Sequence, residues 1–223
     1  GFSGRMPCPE IADAIVQSGR DTLEAAKRFI EAPENRARWG GEVVYGDTDS
    51  LFVDAGLPAD ITPAQAHEAG QVLCAWLNDE LAAHVRECFD LPSHLALEFE
   101  KYYSRFFLPP MRGDTEKARS KGYAGLKVAA DGSDEVEIIG MEAVRRDWTD
   151  VAHELQRDLL DLVFHDAPGE LLEARVLKWV DVVRRGEWDE QLIYRKALRK
   201  SVDSYTSNVP PHVAAARQQS SPR

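Results

Sequence analysis

An α+β fold is predicted for this chain of 223 residues, with an antiparallel, β-rich first part and a mostly helical second part. Three observations carry that prediction. Val43-Val44-Tyr45 and Leu51-Phe52-Val53 are β-branched and aromatic runs around the turn-forming Gly46-Asp47-Thr48-Asp49, which is a hairpin pattern. Further strand-like runs follow between Leu95 and Ile139. Beyond Gly140 the apolar positions recur at helical spacing. The change of character places a boundary near residues 140–147, giving a first domain over 1–140 and a second, incomplete one over 141–223.

The elements follow in order. Ile11, Ile15, Thr22, Ala26 and Ile30 recur at near-helical spacing, so a helix is expected over Glu10 to Ile30 and is ended by Pro33 and Glu34-Asn35-Arg36. The hairpin follows. Thr62, Pro63 and Gln65 then make a capping-box start to a helix running to about Val85, with Ala66, Ala69, Leu73, Leu77 and Leu81 along one face and Cys74 and Trp76 as packing residues. Leu95 to Lys101 alternates as a strand should, with Glu98 and Glu100 sharing a face. Tyr102 to Leu108 reads as its continuation or hairpin partner, followed by a Pro109-Pro110 break and a basic, turn-like Lys117 to Gly122. Strands are expected at Tyr123–Val128 and Val136–Ile139 around an Asp131-Gly132-Ser133-Asp134 turn. Three helices follow. The first starts after Thr149 with Val151, Leu155, Leu159, Leu162 and Val163 as its stripe. The second opens at Pro168 with Leu172, Val176, Trp179, Val180 and Val183 facing inward and stops before Gly186, and the third is a basic helix from about Asp189 to Lys200. The end of the chain loses periodicity and is expected to fray.

Composition narrows the function classes. Hydrophobic residues make up 43% and charged residues 29%, which argues against wholesale disorder, and no apolar run is long enough to span a bilayer. No secretory leader pattern follows Gly1, so a cytoplasmic protein without a membrane partner is expected. Cys8, Cys74 and Cys88 have neither disulfide-framework nor zinc-site spacing. His67, His84, His94, His153, His165 and His212 form no recognisable ligand pair, which places an unrelated metal-dependent phosphohydrolase last among the readings. The net charge of −11 disfavours phosphate binding at long range, but distribution matters more than the sum. From Lys101 to Lys127 there are seven basic residues against Asp114 and Glu116, and Tyr194-Arg195-Lys196-Ala197-Leu198-Arg199-Lys200 has no acid at all.

Asp47 and Asp49 sit one residue apart at the hairpin turn. Read as residues alone, they are either solvated turn acids or a pair offered to a cation, since like charges this close are costly to bury unpaired. An oxygen-only donor set suits Mg²⁺, with Mn²⁺ as the alternative. Glu100 either belongs to a half-exposed wet strand or approaches the pair. With the basic segments, the acids suggest metal-dependent handling of phosphate, in which carboxylates hold ions and basic side chains hold a backbone.

Tyr45-Gly46-Asp47-Thr48-Asp49-Ser50, between apolar strands, resembles the third polymerase motif of family B DNA polymerases. Gly1 to Cys8, Leu97 to Lys101, Lys121 to Leu126, Gly140 to Trp148 and the tail from Tyr194 through Arg217 are similar to family segments in the same order, so the resemblance covers essentially the whole chain. It implies a partial palm over 1–140 followed by a thumb over 141–223, and DNA-directed nucleotidyl transfer to a primer 3′ end. Asp49 then matches the principal metal ligand, Asp47 its supporting neighbour, and Glu100 a palm glutamate that contacts an accessory metal. Lys121 and Tyr123 match part of an element that tracks primer–template DNA, although Ser120 and Gly122 depart from it. Arg145, Arg146 and Asp147 match a string at the thumb entrance, and Arg195, Lys196, Arg199 and Lys200 match the basic part of the thumb.

The implied partners are primer–template DNA, deoxynucleoside triphosphates and the N-terminal polymerase segments. The family's first motif, with the other metal-binding aspartate, and its second, with a triphosphate-binding lysine, would lie upstream of Gly1. The chain opens almost directly into a helix, as a piece of a longer one would, and these 223 residues alone are expected not to polymerise. A non-catalytic DNA-binding module, or one part of a split polymerase, is the alternative.

Overall fold

The computed structural model describes residues 8–111, 114–118, 122–145, 148–193, 196–198, 200–206 and 209–220. They fall into two units. One is the chain through Phe106 together with Leu126–Glu135, and the other is Phe107–Gly125 together with Val136 onward.

In the first unit, helix α1 spans Pro9–Glu31, close to its predicted bounds. Pro9 suits a first helical position because the N–H it lacks would have no partner there. Ala25, Ala26 and Ile30 are buried near the far end of the helix. Pro33 does end α1, but it also starts a short helix missed in the sequence, α2 at Pro33–Trp39. Gly40 closes α2 at φ 61°, with its N–H donating to the Arg36 carbonyl at 2.8 Å.

The hairpin forms as predicted, from β1 (Glu42–Asp47) and β2 (Ser50–Asp54), antiparallel, with Tyr45 opposite Phe52 and Asp47 opposite Ser50. Helix α3, Pro63–Phe89, carries the full capping box between Thr62 and Gln65. Its Leu77 and Leu81 join Ala25, Ala26 and Ile30 in one core cluster, against which Phe29, Val43, Leu51, Val53, Trp76 and Leu97 pack. One side of the hairpin is thus seated on two helices, a burial that drives the arrangement more than helix propensity does.

The stretch Leu95–Lys101, expected as a strand, joins no ladder. At Leu97 the backbone is satisfied from α3 instead. Asn78 accepts from the Leu97 N–H at 2.7 Å and donates to the Leu97 carbonyl at 2.9 Å, and the Cys74 thiol adds a 3.2 Å contact to the same oxygen. One side-chain amide thereby supplies both bonds a neighbouring strand would have made. Regular pairing starts two residues further on, at β3 (Tyr103–Phe107).

Beyond it, β4 (Pro110–Met111) and β5 (Asp114–Ala118) pair antiparallel where a break and a basic turn were expected. Strands β6 (Tyr123–Val128) and β7 (Asp134–Ile139) match the prediction, and the three-stranded sheet has the order β3-β6-β7.

In the second unit a 3-10 turn at Glu142–Val144 leads to α4, Asp150–Phe164, capped by Thr149 accepting from the Ala152 N–H. Helix α5 spans Gly169–Arg184 but has no fully buried residue, and Val176 and Val180, expected inward, are each 40% exposed. The helix presents a polar seam to α4 instead: Arg175 and the Trp179 indole N–H both bond the Asp158 carboxylate. Among the described residues of the expected basic helix, Asp189–Leu192 form a 3-10 turn and residues 196–198 are not helical. Helical spacing would stack Lys196 on Lys200, a like-charge i,i+4 pair that opposes the helix. The end of the chain, expected to fray, forms α6 at Pro211–Ser220. Val213 is fully buried, and Arg217 ties α6 down by donating to the carbonyls of Val202 (3.2 Å) and Tyr205 (2.7 Å). No helix among the described residues is long and apolar enough to cross a membrane.

Candidate active site

The hairpin tip is built on an aromatic layer. Tyr45 and Phe52 face each other across the ladder at 5.3 Å between ring centroids, and Phe106 stacks on Phe52 at 5.0 Å while Tyr103 lies 5.5 Å from Phe106. Successive strand residues alternate between faces, so Asp47 shares the face of Tyr45 and is half-buried. Asp49, in the turn, is exposed. The two acids therefore meet different surroundings although one residue separates them.

The turn itself is tight. Thr48 has φ 51°, and the Asp49 N–H donates to the Asp47 carbonyl at 2.6 Å, closing three residues about a positive-φ centre. This is the rare and strained form of a three-residue turn, and a β-branched residue is the least suited to it. The Thr48 hydroxyl donates to Asp47 Oδ1 at 3.0 Å, and the Ser50 hydroxyl donates to Asp49 Oδ1 at 3.4 Å. Each hydroxyl holds one oxygen of its neighbouring acid, leaving the other oxygen of each carboxylate for a ligand.

Thr48→Gly should therefore raise stability by about 1 kcal/mol, because relief of strain of about 1–3 kcal/mol exceeds the backbone-entropy cost of glycine of about 0.5–1. A thermal melt reads the result, and a lower melting temperature would show that Thr48 is unstrained.

The donor chemistry fits a hard divalent ion. Mg²⁺ keeps several waters and is usually held by one or two carboxylates together with substrate phosphates, which is what Asp47 and Asp49 can provide. They do not form a closed cage. Among the described residues no three His, Cys, Asp or Glu side chains come together as a metal-holding group, so Glu100 is not gathered with the pair. Its carboxylate is instead exposed, 3.3 Å from the Lys101 ammonium.

The candidate DNA contacts are placed unevenly. Lys121, Arg146, Arg195 and Arg199 lie outside the described residues. Tyr123 is buried, at 8% exposure, and presents no open face to a ligand. Arg145 is exposed just after the 3-10 turn, and its carbonyl bonds the His153 ring at 2.8 Å. Lys196 is exposed, and Lys200 lies over the Tyr205 ring at 4.6 Å. Sequence reasoning missed the hydroxyl partners of the two acids, although the alternation Asp-Thr-Asp-Ser was the signal for them.

The structure thus holds paired acids at the turn of a two-stranded antiparallel hairpin seated on α1 and α3. The chain belongs to DNA polymerase family B, whose model matches residues 1–222. It is 35% identical to DNA polymerase II of Escherichia coli K12 over 221 residues, covering 97% of this chain and 26% of that protein. It is 39% identical to the DNA polymerase zeta catalytic subunit of Schizosaccharomyces pombe over 165 residues, 73% of this chain and 10% of that subunit. Against the DNA polymerase delta catalytic subunit of Glycine max the identity is 31% over 209 residues, 91% and 17% of the two. The chain thus spans about a quarter or less of the length of these relatives.

Proposed function

We propose that this chain contributes the C-terminal palm, over 1–140, and the thumb, over 141–223, of a DNA-directed DNA polymerase. Its work is to position Mg²⁺ or Mn²⁺, a deoxynucleoside triphosphate and the primer 3′ end. The observation that carries the reading is the hairpin tip, where Asp47 and Asp49 each keep a carboxylate oxygen free of the flanking hydroxyls, in a chain that matches family B along its length.

Asp49, exposed at the turn, is the principal ligand. Asp47, half-buried on the aromatic face and held by Thr48, fixes the geometry beside it. When bound, the ion supplies charge neutralisation at the triphosphate and polarises the attacking oxygen. Lys121, Arg145, Arg146 and the basic run Arg195, Lys196, Arg199 and Lys200 hold the phosphate backbone of primer–template DNA, and Glu100 stands by for an accessory ion.

Two acids on one turn are half of a two-metal site, which needs a facing carboxylate to hold both ions in the required geometry. The upstream segments of the family supply the other aspartate, and the 223 residues alone do not extend a primer. Incubating the chain with labelled primer–template, Mg²⁺ and all four deoxynucleoside triphosphates tests this, with no extension expected. Robust extension that disappears in Asp49→Ala would show that the chain is self-sufficient. Extension that survives Asp49→Ala would remove the hairpin from the chemistry.

A further inference from the structure

Helix α3 carries a second pair of metal-ligating side chains, different in chemistry from the hairpin acids. His84 and Cys88 are one turn apart on the same helix face, and Cys88 Sγ lies 3.5 Å from His84 Nδ1 and 3.9 Å from Nε2. The pair is mixed, so it shows neither His–His nor Cys-x-x-Cys spacing. Cys88 is a free, exposed thiol, and the His84 ring is half-buried. Tertiary packing positions the ring. It stands edge-on to Phe29 of α1, at 5.7 Å and 79°, and Phe29 in turn packs on the core cluster of the first unit.

The separation has chemical meaning. On a tetrahedral Zn²⁺ a thiolate sulfur sits at about 2.3 Å and an imidazole nitrogen at about 2.0–2.1 Å, which places the two donors about 3.5–3.6 Å apart. Cys88 Sγ and His84 Nδ1 already stand at that separation. The surroundings favour a cation. Cys88 lies in the last turn of α3, at the negative end of the helix dipole. Glu80 precedes His84 by one turn on the same face, and Glu87 and Asp90 lie on either side of Cys88 in the chain, none of them with an ion-pair partner among the described residues. Arg86, the base of that turn, is about 200° around the helix from both ligands. A reactive thiol is built the other way, at a helix N-terminus or among cations.

We propose that Cys88 and His84 bind Zn²⁺ through Sγ and a ring nitrogen. Among the described residues no third His, Cys, Asp or Glu completes a metal-holding group with them, so water takes the remaining positions. On binding, the Cys88 S–H bond breaks, its electron pair forms the bond to the ion, and the proton leaves to solvent. Thiolate and imidazole suit Zn²⁺, whereas carboxylates suit Mg²⁺ and Mn²⁺, so this site and the hairpin take different ions. The site does not rest on the polymerase reading.

Co²⁺ serves as the probe, because thiolate-bound Co²⁺ has a near-ultraviolet charge-transfer band that carboxylate-bound Co²⁺ lacks. Titrating the reduced 223-residue chain with Co²⁺ should raise this band. Zn²⁺, which thiolate ligands select, should then bleach it, while excess Mg²⁺ should not. Cys88→Ser should abolish the band. His84→Phe keeps a ring against Phe29 but removes the ligand, and should weaken Co²⁺ binding at least about tenfold, since even groups that only support a ligand are worth about 10–100-fold. Asp49→Ala should leave the band unchanged, so failure here is distinct from failure at the hairpin. The proposal is overturned if folded chain shows no band, if the band survives Cys88→Ser or is bleached by Mg²⁺, or if His84→Phe binds Co²⁺ as the parent does.

Discussion

Gly70→Ala should destabilise the first unit by about 2 kcal/mol, although the same change in a free helix stabilises it by about 1. Gly70 lies inside α3, where glycine is a poor choice on propensity alone. The Phe99 ring explains it. A Cβ on residue 70 would lie 2.3 Å from Phe99 Cε2, 2.6 Å from Cδ2 and 2.7 Å from Cζ, so the whole ring edge must move. Expelling a packed phenylalanine costs about 3–5 kcal/mol when the ring is fully buried, and Phe99 is half-buried, so the lower end applies before the propensity gain is subtracted. His67 moves with it, because its ring stands edge-on to Phe99 at 5.4 Å. The urea midpoint of Gly70→Ala is the measurement. A rise would mean that Phe99 does not rest on Gly70, whereas in a Phe99→Ala background the same change should become neutral or stabilising, since residues in contact do not add.

The largest functional effect is expected at Asp49. Loss of groups that only support a metal ligand commonly costs 10–100-fold in affinity, so removing the ligand itself in Asp49→Ala should weaken Mn²⁺ binding by about 100-fold or more. Asp47→Ala should weaken it less, because the Asp47 carboxylate is half-buried whereas that of Asp49 is exposed at the turn. Electron paramagnetic resonance of free Mn²⁺ against each variant gives the ranking directly. The reverse order would transfer the principal role to Asp47, and unchanged binding in both would separate the hairpin from metal altogether.

Where the chain's pattern is local, its sequence was enough. The hairpin followed from β-branched runs about a turn, α3 from Thr62 and Gln65, and β6 and β7 from runs flanking a Gly-containing turn. What was hidden depends on contacts distant in sequence. Alternation at Leu95–Lys101 is real, but Asn78, 19 residues earlier, takes the Leu97 backbone bonds, and no window of alternating residues shows that. Helix α5 read as inward-facing along one stripe from Leu172 to Val183, and only the bonds of Arg175 and Trp179 to Asp158 show which side meets α4. At the site, both acids were legible as a pair. Their inequality was implied by family resemblance, and the structure adds a physical basis in the different exposure of Asp47 and Asp49.

The tryptophans divide in a way that reaches beyond packing. Trp39 and Trp76 lie 5.4 Å apart in the first unit, and Trp179 and Trp188 lie 5.0 Å apart in the second. Indoles this close couple their electronic transitions, and each pair gives a circular-dichroism couplet set by its own mutual angle, 39° in one and 61° in the other. Each unit therefore carries a built-in chiral reporter, and deleting one partner of a pair silences that unit's couplet while leaving its neighbour's readable.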